Sequence, residues 1–458
     1  MPFADLRQFL THLEASGQLL RIREPVDPQF EIAAYIRKTS DTGGPALYFE
    51  SVKGSAMPVV GGLFATRRLA LEAMGTDEAD AIAAFLAAIE RVSAPRLIAQ
   101  GACQEVVKRG TEADLTELPV VTHCDLDGGP FITCAVALSR DAEDGTRNAS
   151  IYRFQVNGKR RLAVLAEPPH HLGIHIARAR ERQEPLEIAL AIGLTPAVLL
   201  ATQWEAPYGV DELELAGGLL GEPLEVVKGV SVDLNVPAHA ELIIEGRVLP
   251  DVQEMEGPFG EYTGYYTPAY PKPVMEVTAI THRHDMIYQD MLTGEPTTEN
   301  HVLKMIPAEA SCYAMLKSRF PGVVKVHFHG AGGVGLLGIV AMEPQAPREA
   351  RSVLTTLLGA QGTKIAIAVD SDVNVFDVDH VMWAVSTRCQ PHRDVIVMPP
   401  MLGRQLDPSA EGFGQYGLMG IDATMPHGQE FDQVARVPGV EKVPDLLALA
   451  SKATSSAK

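Results

Sequence analysis

Two glutamates, Glu256 and Glu261, enclose the sequence Gly-Pro-Phe-Gly, and earlier in the chain the run Asn-Ala-Ser-Ile-Tyr-Arg ends at Arg153. Glycine and proline restrict the backbone conformation between the two acids, so the two carboxylates are held on a stiff turn and not on a flexible loop. An arginine beside such a pair can keep one carboxylate ionised while the other stays protonated. Taken alone, the hexapeptide is more typical of a surface turn with two solvated acids. It indicates acid–base chemistry only if other residues join it.

Composition limits the kind of protein that carries these residues. The chain has 458 residues, 46% hydrophobic and 21% charged, as expected for a globular protein with two or three domains. A net charge of −19 would repel a phosphate backbone, which argues against nucleic acid as a partner. Dispersed cysteines without a CxxC pair suit a reducing compartment. With no signal-peptide pattern and no apolar run of bilayer length, we expect a cytoplasmic protein without a membrane partner.

The pattern of helical and strand signals predicts three domains of mixed α+β and α/β class. Residues 1–115 are expected to form an N-terminal α/β domain, and residues 116–306 a central β-rich domain. Residues 307–458 are expected to form a C-terminal α/β domain. A short apolar helix at residues 446–450 is predicted to pack on a partner subunit.

Local patterns place individual elements. The dipeptide Asn157-Gly158 predicts a hairpin with a two-residue type I′ turn. Helices are predicted through residue 13 and at residues 77–92, 171–184, 210–220, 309–318, 348–358 and 375–385. Strands are predicted at residues 19–22, 241–248, 274–291, 323–328, 336–341, 364–369 and 395–398.

Three motif-like patterns favour structural interpretations. The glycine-rich run at residues 330–335 matches GxGxxG, but a strand-like run follows it, so a strand-to-strand connection is favoured over a dinucleotide site. His171 and His175 have a spacing that can hold a metal from one helix face, yet without a third ligand a structural role is favoured. His282 and His284 are interpreted as part of a polar edge strand.

Several separated segments carry a family resemblance. They are, in order, NASIYR at residues 148–153, PHH at 169–171, PYGVDELELAGGLLG at 207–221, EGPFGEYTGYY at 256–266 and WAVSTRCQP at 383–391. In this order they resemble the UbiD-type family of reversible decarboxylases, which use prenylated FMN, over essentially the whole chain. The fold that the resemblance implies has a central split β-barrel, like that of flavin reductases, between N-terminal and C-terminal α/β domains.

The resemblance implies catalytic and metal-binding roles. Arg153, Glu256 and Glu261 match the family's Glu–Arg–Glu site, with Glu261 as proton donor and Arg153–Glu256 as the supporting pair. The matched ligands of a divalent cation are an amide, an imidazole and a carboxylate, a mixed set that suits Mn²⁺ or Mg²⁺. They are Asn148, His171 and Glu212, with Glu214 as an alternative to Glu212.

The resemblance also implies cofactor contacts. Residues matched to the binding of prenylated FMN are Asn148, Ala149, Ser150, Ile151, Tyr152, Arg153, His170, His171 and Glu212. Main-chain carbonyls near Ala201, Thr202 and Trp204 would hold a monovalent cation, K⁺ or Na⁺. Relatives carry varied polar residues at the position of His170, so the role of this side chain toward the cofactor stays open.

The implied function is reversible, non-oxidative decarboxylation of an aromatic, heteroaromatic or α,β-unsaturated carboxylic acid through covalent addition to prenylated FMN. Loss of CO₂ from an sp² carbon requires an external electron sink, which a cofactor supplies. A flavin prenyltransferase would provide the cofactor, and the chain would form a homo-oligomer, a dimer or a hexamer. Alternatives are a ubiquinone-pathway 3-polyprenyl-4-hydroxybenzoate decarboxylase, an FMN-dependent reductase, and a cofactor-free binding or assembly protein.

The segment from Glu299 to Lys304 has two interpretations. Its charged and polar side chains can recognise a ring heteroatom or a second carboxylate of the substrate. They are equally typical of a solvated turn before the C-terminal domain.

Overall fold

The computed structural model describes residues 1–166, 168–360, 362–412, 414–428 and 430–444. The tail helix predicted at residues 446–450 lies outside the described residues. Within the described ranges, no helix is both long enough and apolar enough to cross a membrane.

The N-terminal segment combines amphipathic helices with a small sheet. Its elements are α1 (Leu6–Ala15), β1 (Leu19–Ile22), α2 (Glu31–Thr42), β2 (Ala46–Phe49), β3 (Val59–Gly61), α3 (Arg67–Met74) and α4 (Ala81–Ile89). Helix α1 begins after Asp5, whose side chain accepts a hydrogen bond from the Gln8 N–H. Its buried residues recur with helical spacing, as the sequence predicts. The strand at residues 19–22 has its predicted bounds.

The central segment is mostly β-structure. Its elements are β4 (Arg96–Leu97), β5 (Val106–Arg109), β6 (Phe131–Arg140), β7 (Arg147–Val156), β8 (Arg161–Val164), α5 (His171–Glu181), β9 (Leu186–Ile192), α6 (Pro196–Ala201), α7 (Glu212–Leu220), β10 (Glu225–Lys228), β11 (Asn235–Pro237), β12 (Leu242–Glu256), β13 (Phe259–Gly260), β14 (Tyr266–Thr267), β15 (Tyr270–His282) and β16 (Tyr288–Gln289). The short strand β16 pairs with β3 and so joins the N-terminal sheet.

Six of these strands close into an antiparallel barrel. The neighbours around it are β12, β9, β6, β7, β8 and β15, and β15 pairs back onto β12. Closure leaves no free edge along the barrel. The prediction of a central β-barrel is confirmed. Strand β7 lies within this wall and carries the run that ends at Arg153.

The β7–β8 hairpin differs from its prediction. Val156 pairs with Leu162, and the Asn157 N–H donates to the Arg161 carbonyl at 2.9 Å, so the loop consists of the three residues 158–160. The predicted two-residue type I′ turn is wrong. Tertiary contacts favour the longer loop, because Lys159 accepts a main-chain hydrogen bond from Leu115 at 2.8 Å and its ammonium binds Asp114 at 2.7 Å.

The C-terminal segment alternates helices and strands. Its elements are α8 (Glu299–Arg319), β17 (Val323–Phe328), β18 (Leu337–Met342), α9 (Glu349–Ala360), β19 (Ile365–Asp370), α10 (Val378–Arg388), α11 (Pro391–Asp394), β20 (Val395–Leu402) and β21 (Gln415–Ala423). The sheet order is β17-β18-β19-β21-β20. The glycine-rich run at residues 330–335 joins the antiparallel strands β17 and β18, so the predicted strand-to-strand connection is confirmed.

Helix α8 corrects three predictions. It was expected to begin at Glu309 but begins at Glu299, and it continues through Pro307, which removes one main-chain hydrogen bond without ending it. The domain boundary predicted between residues 306 and 307 therefore falls inside a helix. Glu299 and His301 are 1% and 0% exposed, so the solvated turn proposed for this segment is wrong. Strand β21 was not predicted, and the strand expected at residues 274–291 is interrupted after His282.

Candidate active site

Strand β7 and the turn after β12 bring Arg153, Glu256 and Glu261 together, and all three side chains are buried. The Arg153 guanidinium donates to Glu256 from Nε to Oε1 at 2.7 Å and from Nη2 to Oε2 at 3.0 Å. Its remaining nitrogen, Nη1, donates to Glu261 Oε1. The structure thus places the three predicted catalytic residues in one contact network. Two parallel hydrogen bonds to one carboxylate define its plane as well as its distance.

The turn between the two glutamates is held by the segment before β6. Gln155 accepts from the Gly257 N–H at 2.7 Å and donates to the Gly128 carbonyl at 2.9 Å. The Gly128 N–H in turn donates to the Pro258 carbonyl at 2.8 Å. A Cβ on Gly128 would lie 2.2 Å from the Gly257 oxygen, so only glycine allows this approach. Sequence reasoning missed this support, because nothing near residue 128 has a recognisable spacing.

An aromatic ring lies under the arginine. The Arg153 guanidinium carbon is 4.6 Å from the centroid of the Phe259 ring, which itself packs against Phe131. The face of an aromatic ring attracts a cation and excludes water from one side of it. Phe259 therefore has a role that the sequence did not indicate: it orients the guanidinium toward the two carboxylates.

The predicted metal ligands lie at the other end of β7. The Ala149 N–H donates to Glu212 Oε2 at 2.9 Å, which places Glu212 beside Asn148. The other oxygen of Glu212 is 3.7 Å from His171 Nδ1. The side-chain nitrogen of Asn148 is buried without a hydrogen-bond partner. The amide oxygen of Asn148, the imidazole of His171 and the carboxylate of Glu212 form a mixed oxygen and nitrogen donor set that fits a hard divalent cation.

Asn148 is needed to complete that set. Among the described residues, no group of three His, Cys, Asp or Glu side chains is arranged to hold a metal. The contacts to Ala149 and His171 are made by Glu212, which begins α7. The predicted third ligand is an asparagine, so a search of the sequence for histidine and carboxylate spacings alone would not find this site.

His175 is oriented differently from His171. Its Nδ1 lies 2.9 Å from Ser139 Oγ, and burial lowers the pKa of His175 to about 4. It therefore stays neutral and bonded to β6, while His171 faces Glu212. The structural role favoured from the sequence agrees with this contact for His175.

The carbonyls predicted to hold a monovalent cation lie at the end of α6. The Ala201 carbonyl accepts from the Trp204 N–H at 3.2 Å, and the Trp204 carbonyl accepts from the Ala206 N–H at 2.8 Å. The Thr202 hydroxyl donates to the Leu199 carbonyl at 2.8 Å. The carbonyl oxygens of Ala201 and Trp204 thus already accept one main-chain hydrogen bond each. The site for a monovalent cation stays a prediction.

Strand β7 connects the two ends of the site. Asn148 and Arg153 are five residues apart on an extended strand, about 16 Å. Between them, Ser150 donates to Asn148 Oδ1 at 3.2 Å. The Tyr152 hydroxyl accepts from the Leu172 N–H at 3.4 Å, and its ring meets His170 edge-on at 6.4 Å. One elongated cofactor with a phosphate at one end can reach both the predicted metal ligands and the predicted catalytic side chains.

Charged residues that the sequence did not connect surround Glu261. The half-buried Lys304 ammonium lies 5.2 Å from the centroid of the Tyr262 ring. Desolvation lowers the pKa of Lys304, the Arg404 cation lowers it further, and the negative charge of Glu261 opposes the shift. Arg404 also lies 3.9 Å from Glu205, whose side chain is 77% exposed, so this group of charges reaches the solvent at Glu205. Of these charged residues, only Lys304 lies in a segment for which the sequence predicted a role in substrate recognition.

His170 interacts electrostatically with the same charged residues, Lys304, Glu205 and Arg404. Desolvation of the ring lowers the pKa of His170, and the Lys304 cation adds to the effect. A neutral imidazole in this position, beside the Tyr152 ring, is able to donate one hydrogen bond and to accept one.

Comparison with known proteins identifies the family. Models of the N-terminal, Rift-related and C-terminal domains of 3-octaprenyl-4-hydroxybenzoate carboxy-lyase match residues 10–89, 96–296 and 301–423. The chain belongs to the UbiD family of prenylated-FMN decarboxylases. The resemblance stated from the separated segments is thereby confirmed.

Solved structures of UbiD-class enzymes superpose over nearly the whole chain. HmfF from Pelotomaculum thermopropionicum, in complex with FMN, is 41% identical with a TM-score of 0.92, covering 98% of this chain and 99% of that one. An evolved dimeric form of HmfF with prFMN is 40% identical with a TM-score of 0.89, covering 98% and 100%. The 3,4-dihydroxybenzoic acid decarboxylase AroY from Klebsiella pneumoniae is 30% identical with a TM-score of 0.87, covering 96% and 99%. The UbiD fold therefore extends through all described segments.

Proposed function

We propose that this UbiD-family protein catalyses reversible, non-oxidative decarboxylation of an aromatic, heteroaromatic or α,β-unsaturated carboxylic acid. One observation carries the proposal: Arg153 donates hydrogen bonds to both Glu256 and Glu261 in one buried network. A guanidinium shared by two carboxylates holds each in a defined position while one of them exchanges a proton. Glu261 is the proton donor, and Arg153 with Glu256 is the supporting pair.

The residues along β7 would hold the cofactor. Asn148, His171 and Glu212 would bind Mn²⁺ or Mg²⁺, whose positive charge would favour binding of the phosphate of prenylated FMN. This metal would offset the repulsion between a phosphate and a chain of net charge −19. The remaining predicted contacts come from residues 149–153 and His170, and the carbonyls near residues 201–204 would hold K⁺ or Na⁺. When bound, prenylated FMN supplies the electron sink for the carbon that loses CO₂.

The contacts of Glu261 define how it delivers a proton. Its Oε1 faces Arg153, and its Oε2 accepts from the Tyr262 N–H at 3.1 Å. In the protonated form, the carboxylic acid donates to the substrate carbon from which CO₂ departs, and solvent reprotonates it for the next turnover. A positioned general acid contributes roughly 10²–10⁴-fold in rate. In the carboxylation direction, the same carboxylate accepts the proton that leaves the carbon.

The surroundings of Glu261 favour a small, polar substrate. The Lys304 ammonium is near enough to Glu261 for their charges to interact, and it can bind a second anionic or hydrogen-bond-accepting group of the substrate. We therefore propose a small aromatic or heteroaromatic acid that carries a ring heteroatom or a second carboxylate. The charged side chains of Lys304, Arg404 and Glu205 are poor neighbours for a polyprenyl chain.

Neither alternative enzyme is favoured. A polyprenyl hydroxybenzoate decarboxylase needs an apolar channel beside Glu261. An FMN-dependent reductase needs a nicotinamide as electron donor and has no use for two glutamates bridged by one arginine. A cofactor-free assembly protein would not retain that network.

Partners follow from the same proposal. A flavin prenyltransferase supplies the cofactor, and the chain assembles into a dimer or a hexamer. The dimeric form described for HmfF supports self-association. Light scattering of the purified protein distinguishes the two assemblies from a monomer.

The test is to produce the protein with and without a co-expressed flavin prenyltransferase and to read its absorbance and its release of CO₂. We expect release from members of a panel of aryl, heteroaryl and acrylic acids only after co-expression. Mono- and dicarboxylic members of each ring type report on the substrate class. Nicotinamide oxidation in place of CO₂ release would contradict the proposal.

A further inference from the structure

We propose that His301 is a positioning residue for Glu261, because it holds the carbonyl of Tyr262, the residue whose main-chain N–H donates to this carboxylate. The inference rests on the proposed role of Glu261 as proton donor. His301 lies in the first turn of α8 and is 0% exposed. Its imidazole contacts Tyr262, the residue after Glu261, and acts on Glu261 through it.

The hydrogen bonds of His301 define its tautomer. Its Nδ1 lies 3.0 Å from the main-chain nitrogen of Thr298, and a main-chain N–H can only donate. Nδ1 is therefore the acceptor, and the hydrogen of the neutral ring is on Nε2. That nitrogen lies 2.5 Å from the Tyr262 carbonyl oxygen and donates to it. Burial lowers the pKa of His301 to about 4, so the ring keeps this arrangement near neutral pH.

Tyr262 transmits the constraint to the catalytic carboxylate. Its N–H donates to Glu261 Oε2 at 3.1 Å, while its carbonyl is held by His301. The ring of Tyr262 packs against the glycine-rich connection between β17 and β18. A Cβ on Gly333 would lie 2.8 Å from the tyrosine Cδ2. Tyr262, whose N–H donates to Glu261, is thus held at its carbonyl by His301 of α8 and at its ring by the connection between β17 and β18.

The alternative, purely structural role for His301 is to cap helix α8. Thr298 and His301 form a capping box at the start of α8, so His301 also stabilises the helix terminus. Thr298→Ala removes the hydroxyl of this box but keeps the main-chain N–H that defines the tautomer. The Thr298 hydroxyl also lies 2.8 Å from His301 Nδ1, so this variant weakens the cap and removes one of the two contacts of Nδ1. The main-chain N–H of residue 298 and the His301–Tyr262 hydrogen bond remain.

Kinetics of three variants separate the two roles. His301→Leu removes the donor to Tyr262, and we expect kcat to fall by at least about tenfold with KM within about twofold and flavin content unchanged. His301→Gln places an amide N–H near the position of Nε2 and is expected to recover kcat to within about threefold of the wild type. Thr298→Ala is expected to keep wild-type kcat. Wild-type kcat in His301→Leu, or equal losses in Leu and Gln variants, would overturn the proposal, as would an equal loss in Thr298→Ala.

A second measurement uses the wild-type chain and needs no substrate. In protein with ¹⁵N-labelled histidine rings, the signals lost in His301→Gln identify His301. We expect a neutral ring protonated at Nε2 from about pH 5 to pH 8. A ring protonated at Nδ1, or a charged ring, would overturn the inference even if His301→Leu does not fold. Absence of CO₂ release from every acid tested would instead reject the proposed function and leave this readout intact.

Discussion

Arg153 binds Glu256 with two parallel hydrogen bonds, from Nε to Oε1 at 2.7 Å and from Nη2 to Oε2 at 3.0 Å. This bidentate contact leaves the third nitrogen, Nη1, for Glu261. The two glutamates therefore have unequal positions at one guanidinium. Glu256 is held in plane through both oxygens, whereas Glu261 is held through one oxygen and keeps the other on a main-chain N–H. This asymmetry is the structural basis for assigning proton transfer to Glu261.

Replacing Arg153 by lysine tests the fork geometry. Lysine keeps the charge but cannot form the parallel contacts, so a buried carboxylate oxygen of Glu256 loses its donor, at a cost of about 1–3 kcal/mol in the free energy of unfolding. We expect kcat to fall by more than about tenfold. Thermal unfolding and CO₂ release measure the two effects. The control is Arg161→Lys in the exposed pair with Glu254, where a change within about 0.5 kcal/mol is expected. Equal behaviour of the two variants would contradict the role of Arg153.

Glu212 and Glu214 offer a matched pair for the metal site. Both lie in the first turn of α7, but Glu212 contacts Ala149 and approaches His171. Glu212→Gln is expected to lower bound Mn²⁺ by about tenfold or more and to release flavin during gel filtration. Glu214→Gln is expected to retain both. Metal content by mass spectrometry and flavin absorbance are the readouts, and loss in Glu214→Gln with retention in Glu212→Gln would reverse the assignment.

Glycine at residue 128 is required by the close approach of the catalytic turn. In Gly128→Ala, the new methyl group would meet the Gly257 oxygen at 2.2 Å, so the turn has to shift and carry Glu256 and Glu261 with it. We expect a loss of stability of about 1–3 kcal/mol together with most of the activity. Gly359→Ala, in α9 with no atom within 4 Å, is expected to stabilise the protein by about 0.5–1 kcal/mol. Thermal unfolding of both variants checks the contrast, and a stable, active Gly128→Ala would refute it.

Glu299 predicts a pH dependence of stability. Burial raises the pKa of Glu299 to about 7 from its ordinary value of 4.5. Between these values the folded chain binds more protons than the unfolded chain. The contribution of protonated Glu299 to the free energy of unfolding is therefore full below pH 4.5 and is lost as pH rises through 7. Glu299→Gln removes this titration.

Urea unfolding of wild type and Glu299→Gln at about pH 5 and pH 8 measures the effect. The free energy of unfolding of the variant, relative to wild type, should rise by about 3 kcal/mol between the two pH values. A constant difference would show that Glu299 has an ordinary pKa in the folded protein.

Elements with strong local patterns were predictable from the sequence. The strands at residues 19–22 and 323–328 have the predicted bounds, because short apolar runs between turn residues need no tertiary information. The start of α8 was misplaced by ten residues, and a solvated turn was one of the two interpretations of residues 299–304. Both errors come from burial, which depends on what α8 packs against.

The site was predictable only through its motifs. Asn148 and Glu212 are 64 residues apart, and no spacing rule joins them, yet β7 and α7 place them side by side. The Glu256–Glu261 turn was visible as a stiff pair of acids. Its partner Gln155 and the charged residues Lys304, Arg404 and Glu205 come from separate segments, and only the folded chain brings them together.

The most direct measurement compares Glu261→Gln with the wild type, both produced with a flavin prenyltransferase. Glutamine can still accept from the Tyr262 N–H but cannot deliver a proton, so flavin absorbance should be unchanged while CO₂ release falls by roughly 10²–10⁴-fold. Glu254→Gln, on the exposed part of β12, is the control and should keep its rate. Near-wild-type CO₂ release by Glu261→Gln would contradict the account, because the proton would then come from another group.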